Sequence, residues 1–338
     1  MKSLPKILCT TVVRAVKEGE SHGGLFMIDL ETEKVTTVYN YNDSSVDFSG
    51  RGSGRGLRGI AFDRDKVYVA GSSELFVFDN SWNQITSFKN DYLDLCHEIC
   101  LYNSLLYLTS TSYDSILVFD TKKEKFVSAF QFSFNNYRKI RALRFLNHIF
   151  FKISGIRPLL VDEKIKVRAF NPDACNEVGR TNTLHLNHVF IRDKKICFSG
   201  LKLSSIQEFD FQKTRKAVNI PGGTHNAVIR DQDTIMMNNT RKDEVLVKNQ
   251  RTKEIHRWKV PKYPDHELIH TDIPGFHARQ GFARGLAFFE HYLIGGSSPA
   301  TISVYNMQTK EVIKSINFSK DIRVTIHGLE VIPPHFDL

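Results

Sequence analysis

A chain of 338 residues with 41% apolar content falls in the globular range and can form one large closed β architecture or two average domains. Its formal charge of +9 is spread along the sequence rather than gathered in basic tails, which argues against nucleic acid and suits an anionic small molecule. No run approaches the ~18 apolar residues of a membrane span, and Val12-Val13 is followed at once by Arg14 and Lys17, so neither a membrane nor a secretory signal is expected.

The N-terminal segments Ile7–Thr11, Gly24–Asp29 and Val35–Tyr39 read as three strands with no strand before them. A recurring phrase follows at intervals of roughly forty residues. A polar residue opens an apolar strand, a turn leads to a second strand ending in small residues, and a third strand ends in Asp or Asn. Arg58-Gly59-Ile60-Ala61-Phe62, Val67–Ser72 and Leu75–Asp79 form one copy; His97–Leu101, Leu106–Ser110 and Ile116–Asp120 form the next. Arg141–Ile149 matches Arg284–Tyr292 in spacing, and Leu159–Asp162 after Pro158 would be its third strand. Asn187–Ile191 with Ile196–Gly200, and His225–Ile229 with Ile235–Asn238, open two more copies. His327–Val331 opens a copy that has nothing after it.

Short strands at this period, with no sustained helical periodicity, predict an all-β propeller forming a single domain over residues 1–338. The orphan strand at His327 supplies the inner strand that the N-terminal blade lacks, closing the ring without an exposed sheet edge. The count predicts seven blades of about 48 residues each. If the stretch at 141–178 is an insertion, the ring has six. Asp63-Arg64-Asp65, Asp193-Lys194-Lys195 and Asp231-Gln232-Asp233 read as tight turns. Longer connections, Ser44–Gly56 and Pro261–Gln280, both end at an inner-strand start and should cover the same mouth of the axis.

Inner strands run along a propeller axis, so their opening residues crowd one mouth. Here these are His327, Arg58, His97, Arg141, Asn187, His225 and Arg284, with His185 two residues before Asn187. Imidazoles bind transition metals, and ligands from separate strands leave positions open for water or substrate. His97, His225 and His327, with His185 as a fourth candidate, are the predicted ligands of a divalent iron, zinc or manganese ion. Arg58, Arg141 and Arg284, with Asn187 and His277, would hold an anionic small molecule or glycan-type substrate. Glu98 and Glu330 are the candidate acid/base residues, although strand alternation aims the residue after each opener sideways into its blade. The bland alternative is a water-filled channel lined by polar groups.

Two functions follow: a metal-assisted lyase, hydrolase or oxygenase, or a non-catalytic platform for a protein or peptide partner. Arg51–Gly56 is glycine-rich but precedes a strand and lacks a Lys-Ser/Thr ending, so no nucleotide cofactor is expected. Five cysteines, an odd number with three inside predicted strands, fit buried free thiols in a reducing, cytoplasmic setting. Cys96 and Cys100 lack the second pair that a zinc cluster needs.

The phrases Gly59-Ile60-Ala61-Phe62, Leu108-Thr109-Ser110-Thr111, His185-Leu186-Asn187, and Pro274-Gly275-Phe276 followed by Arg284-Gly285-Leu286 resemble an uncharacterised bacterial family. That family is a domain of unknown function, some members of which are fused to tetratricopeptide repeats. The resemblance runs from about residue 58 to 296 and departs in the first blade and over 133–180. It implies a propeller and transfers no catalytic residue. Carotenoid oxygenases and oligogalacturonate lyases, propellers holding a metal by axial histidines, are analogies of fold only.

Overall fold

The computed structural model describes residues 3–42, 56–136, 140, 142, 164–273 and 279–336. Blade one contains β1 (Lys6–Val13), β2 (Gly23–Asp29) and β3 (Val35–Tyr41). Blade two is β4 (Ile60–Asp63), β5 (Lys66–Ala70), β6 (Glu74–Phe78) and β7 (Gln84–Lys89). Blade three is β8 (Ile99–Tyr102), β9 (Leu105–Ser110), β10 (Ser115–Asp120) and β11 (Lys125–Phe134), with β12 (Ile165–Phe170) outside it. Blade four is β13 (Leu186–Arg192), β14 (Lys195–Gly200), β15 (Ser205–Phe209) and β16 (Thr214–Asn219). Blade five is β17 (Ala227–Ile229), β18 (Thr234–Asn239), β19 (Glu244–Asn249) and β20 (Ile255–Lys259). Blade six is β21 (Gly281–Phe289), β22 (Tyr292–Ser298), β23 (Thr301–Asn306) and β24 (Val312–Asn317). The last strand, β25 (Val324–Val331), returns to blade one and pairs antiparallel with β1 from Ile7–Val331 to Val13–Val324. C-terminal and N-terminal strands thus close the ring in one sheet.

The propeller has six blades, which corrects the count of seven. Among the described residues, 164–178 add no blade of their own. Instead β12 runs antiparallel along the outer edge of β11, from Ala129–Phe170 to Phe134–Ile165, as a fifth strand. On the inner side β8 packs directly against β13, so no inner strand stands between blades three and four. Arg141 and residues 143–163, where the extra blade was predicted, lie outside the described residues.

Blades stack face to face, so their strands are apolar on both faces. Val67 and Val69 of β5 join Leu8 and Leu25 of blade one, while Tyr68 and Ala70 join Leu106, Leu108 and Leu117 of blade three. Six such clusters, one for each junction between neighbouring blades, make the core. This explains strands that read as continuous apolar runs rather than alternating ones.

The Asp or Asn that ends each third strand is a turn residue with a defined task. Its side-chain Oδ1 accepts two backbone N–H groups from the outer turn. Asp29 accepts from Glu31 and Thr32, Asp79 from Ser81 and Asn83, and Asp120 from Lys122 and Lys123. Asp210, Asn249 and Asn306 repeat the arrangement. These backbone bonds hold the carboxyls of Asp29, Asp79, Asp120 and Asp210 below their usual range.

Because the folded pKa lies below the unfolded value of 3.8, this stabilisation is full above that pH and is lost as pH falls through the folded value. Replacing the four aspartates by Asn, which keeps the acceptor and loses the charge, should therefore lower the neutral-pH melting temperature slightly and flatten its decline in acid. Replacing them by Ala should lower melting by several degrees at neutral pH, measured by calorimetry across pH.

Candidate metal centre at one end of the axis

The inner strands approach one another backbone to backbone, and this brings their opening residues together. A Cβ on Gly328 would lie 2.1 Å from the Arg58 carbonyl oxygen, and one on Gly59 would lie 2.5 Å from the Ile99 nitrogen. Thr10 Oγ1 bridges the same seam, donating to the Arg58 carbonyl at 2.6 Å and accepting from the Gly328 N–H at 2.7 Å. Around the resulting narrow axis His97, His225 and His327 are buried and His185 is partly buried.

His97, His185 and His225 each offer one ring nitrogen, and these three atoms all lie within 4.8 Å of one another. A tetrahedral ion with nitrogen bonds of ~2.0–2.1 Å would space them at about 3.4 Å, within reach of small side-chain rotations. His327 stands beside His97, with ring centroids 5.2 Å apart, but falls outside that set of three.

Hydrogen bonds prepare two of the rings to ligate. His97 Nδ1 lies 2.7 Å from the Leu95 carbonyl, which can only accept, so Nδ1 carries the proton and Nε2 keeps its lone pair. Thr111 Oγ1 stands 2.9 Å from the same Nδ1 and donates its own proton to the Leu186 carbonyl. His185 Nδ1 faces Asn182 Oδ1 at 2.9 Å, which leaves its Nε2 in the same state. A metal-ligating histidine characteristically donates its other N–H in this way. His225, only 3% exposed, has no partner for either ring nitrogen, and His327 Nδ1 is also unpartnered. Buried nitrogens left without partners are costly unless something binds them, and the donor set fits a borderline divalent ion.

The electrostatics agree. Burial, reinforced by Arg58, holds His97 well below its usual pKa; burial and Arg284 do the same for His225 and His327. Burial and Lys202 bring His185 down to about 4. All four rings are therefore neutral at pH 7, as metal ligands must be. Arg58 donates from Nη1 to the Cys96 carbonyl at 2.8 Å, and neither its Nε nor that of Arg284 has a partner. No carboxylate forms an ion pair with either among the described residues. The guanidinium groups of Arg14, Arg279 and Arg284 converge on the Phe282 ring, at 4.6, 4.2 and 5.6 Å from its centroid.

The remaining predicted site residues fall elsewhere. Asn187 is buried at this end and donates to the Thr224 carbonyl at 3.1 Å, its Oδ1 unpartnered. Arg141 and His277 lie outside the described residues. Glu98 and Glu330 do not join the imidazoles; both line a chamber further along the axis. Glu98 Oε1 accepts from Asn226 Nδ2 at 2.9 Å, and burial raises its carboxyl well above the usual value. Glu330 is exposed to solvent as a residue, and desolvation at the chamber wall pushes its carboxyl up to about 8.

Sequence reasoning missed the groups that position His185. Asp114, fully buried, accepts from Thr181 and Thr183 Oγ1 at 3.0 Å, from the Leu184 N–H at 3.0 Å and from the His185 N–H at 2.9 Å. That carboxylate pins the loop that presents His185 with a left-handed backbone (φ 54°). The only sequence sign was the polar run Thr181-Asn182-Thr183 just before a strand.

No protein-family model matches the chain, and no curated protein sequence is significantly similar to it. Solved structures do share its fold. A protein of unknown function from Bacteroides caccae aligns at TM-score 0.54 and 10% identity, over 97% of this chain and 99% of that one. A chain of a nidogen/laminin complex aligns at TM-score 0.56 and 9% identity, over 96% and 98%. At such identities the likeness shows the propeller fold alone.

The neutral imidazoles imply a pH dependence for metal-free protein. Unfolded histidines protonate near 6.5, so the unfolded chain binds more protons below that value. Stability present above pH 6.5 should fall as pH drops toward 4. Melting of chelator-treated protein should be several degrees lower at about pH 5 than at pH 7, and His225→Asn with His327→Asn should reduce the difference.

Proposed function

We propose that this end of the axis is the centre of a metal-assisted enzyme acting on a small anionic or glycan-type substrate. The observation that carries the reading is the His97–His185–His225 set, with ring nitrogens within 4.8 Å of one another. The bound ion would be divalent iron, zinc or manganese, acting as a Lewis acid that polarises substrate oxygen and acidifies water. Arg58 and Arg284, which have no carboxylate partner, bind and orient the substrate's anionic group. His327, beside His97 with Nδ1 unpartnered and its ring held neutral, would hydrogen-bond the bound substrate or water. The ligand set is neutral, so an ion there leaves the pocket strongly cationic, which favours an anion over a neutral substrate.

Iron would suit oxygenation, and iron, zinc or manganese would each serve elimination or hydrolysis by polarising a substrate oxygen or acidifying water. Placement beside the uncharacterised bacterial propeller family rests on the shared phrases and brings no activity with it. A reducing, cytoplasmic setting is supported by free thiols at Cys9, Cys96 and Cys197, all buried.

Elemental analysis of the purified protein should find about one divalent transition ion per chain. His97→Ala, His185→Ala and His225→Ala should each reduce that to background while the circular dichroism spectrum is kept. His327→Ala should keep the metal and lose turnover. Wild-type protein that stays metal-free even after incubation with zinc, iron and manganese would favour the non-catalytic platform instead.

A further inference from the structure

At the other end of the axis the same six inner strands surround a chamber of about 380 Å³ that opens to solvent. Each strand contributes to its wall: Phe62, Leu101, Phe190, Val228, Phe288 and Val331 are among the lining residues. The wall is apolar and aromatic, with Glu98, Cys100, His188 and Glu330 as its polar exceptions. A chamber of this size with a few convergent polar groups on apolar walls has the form of a small-molecule site. None of the three clustered imidazoles lines it.

We propose that this chamber binds a small organic ammonium ion, its apolar body against the aromatic wall and its charged head at Glu330. Charge complementarity selects the occupant. Glu330 reaches the chamber and has no hydrogen-bond or ion-pair partner among the described residues. Glu98, 9% exposed, gives one oxygen to Asn226 and adds a second carboxyl to the same wall. The Arg230 guanidinium stacks 5.2 Å from the Phe288 centroid and hydrogen-bonds the Glu290 carbonyl, and Arg284 acts on Glu98, which leaves Glu330 without a cation of the protein's own. A neutral apolar ligand would fill the space and leave the ionised Glu330 carboxylate without a countercharge. An ammonium ion supplies that charge, and the faces of phenylalanine rings attract it further.

This site is tested independently of the metal centre. Calorimetry would compare phenyltrimethylammonium with its uncharged isostere tert-butylbenzene at about pH 8.5, where Glu330 is largely ionised. The ammonium should bind at least about tenfold more tightly, and Glu330→Gln should remove about tenfold of that affinity. In a Cys175→Ser background the bound ammonium should slow modification of Cys100 by methyl methanethiosulfonate, which locates it in the chamber. Equal affinity for the two probes would overturn the proposal. So would binding that is unchanged by Glu330→Gln, no protection of Cys100, or no binding of the ammonium up to about 10 mM. The comparison of the two probes uses the wild-type protein and stands even if the variant fails to fold.

Discussion

The structure depends on how closely six short inner strands can approach one axis. Neighbouring blades must bury both faces of every sheet, which draws the inner strands inward until their backbones touch. Gly328 against the Arg58 carbonyl and Gly59 against the Ile99 nitrogen mark that contact, and any side chain there would displace main chain rather than a flexible tip. Thr10 bonds to both strands at the seam where N- and C-terminal strands meet. Closure and site assembly are therefore one event: the contact that seals the ring also carries Arg58, His97 and His327 to a common centre.

That constraint also explains why the ring was legible in the sequence and its count was not. The opening residues are positional, so aligning strand starts located His97, His225, His327, Arg58, Asn187 and Arg284 without any ligand motif. The match of Arg141–Ile149 to Arg284–Tyr292 suggested another opener, but similarity in one strand does not make a blade. The third-strand Asp or Asn is the better counter, because each has a physical task in an outer turn. Asp29, Asp79, Asp120, Asp210, Asn249 and Asn306 perform it once per blade. His185 was harder to rank because its loop is held by Asp114, 71 residues away in sequence, through bonds that no local pattern announces.

The two ends of the axis differ in chemistry, and the residues between them keep the ends apart. Asn226 sits at the junction, donating to Glu98 and receiving bonds from Asn238 Nδ2 at 3.1 Å and the Gly285 N–H at 3.2 Å. An amide in this position satisfies groups on both sides without carrying charge. Imidazoles and guanidinium groups collect on one side, carboxyls on the other, and Arg284 influences both His225 and Glu98.

Strand position decides which histidines can act together. His97, His185 and His225 all precede their inner strands, which begin at Ile99, Leu186 and Ala227. Their backbones belong to loops, so each ring can turn toward a shared ion, and Leu95 and Asn182 fix the tautomer of two of them from within those loops. His327 lies inside β25, a strand paired with β1 and packed against the Arg58 backbone at Gly328. Its main chain cannot shift without opening the seam that closes the ring. The residue best placed by sequence symmetry is thus the one least able to adjust, which suits it to a fixed role beside the ligands rather than among them.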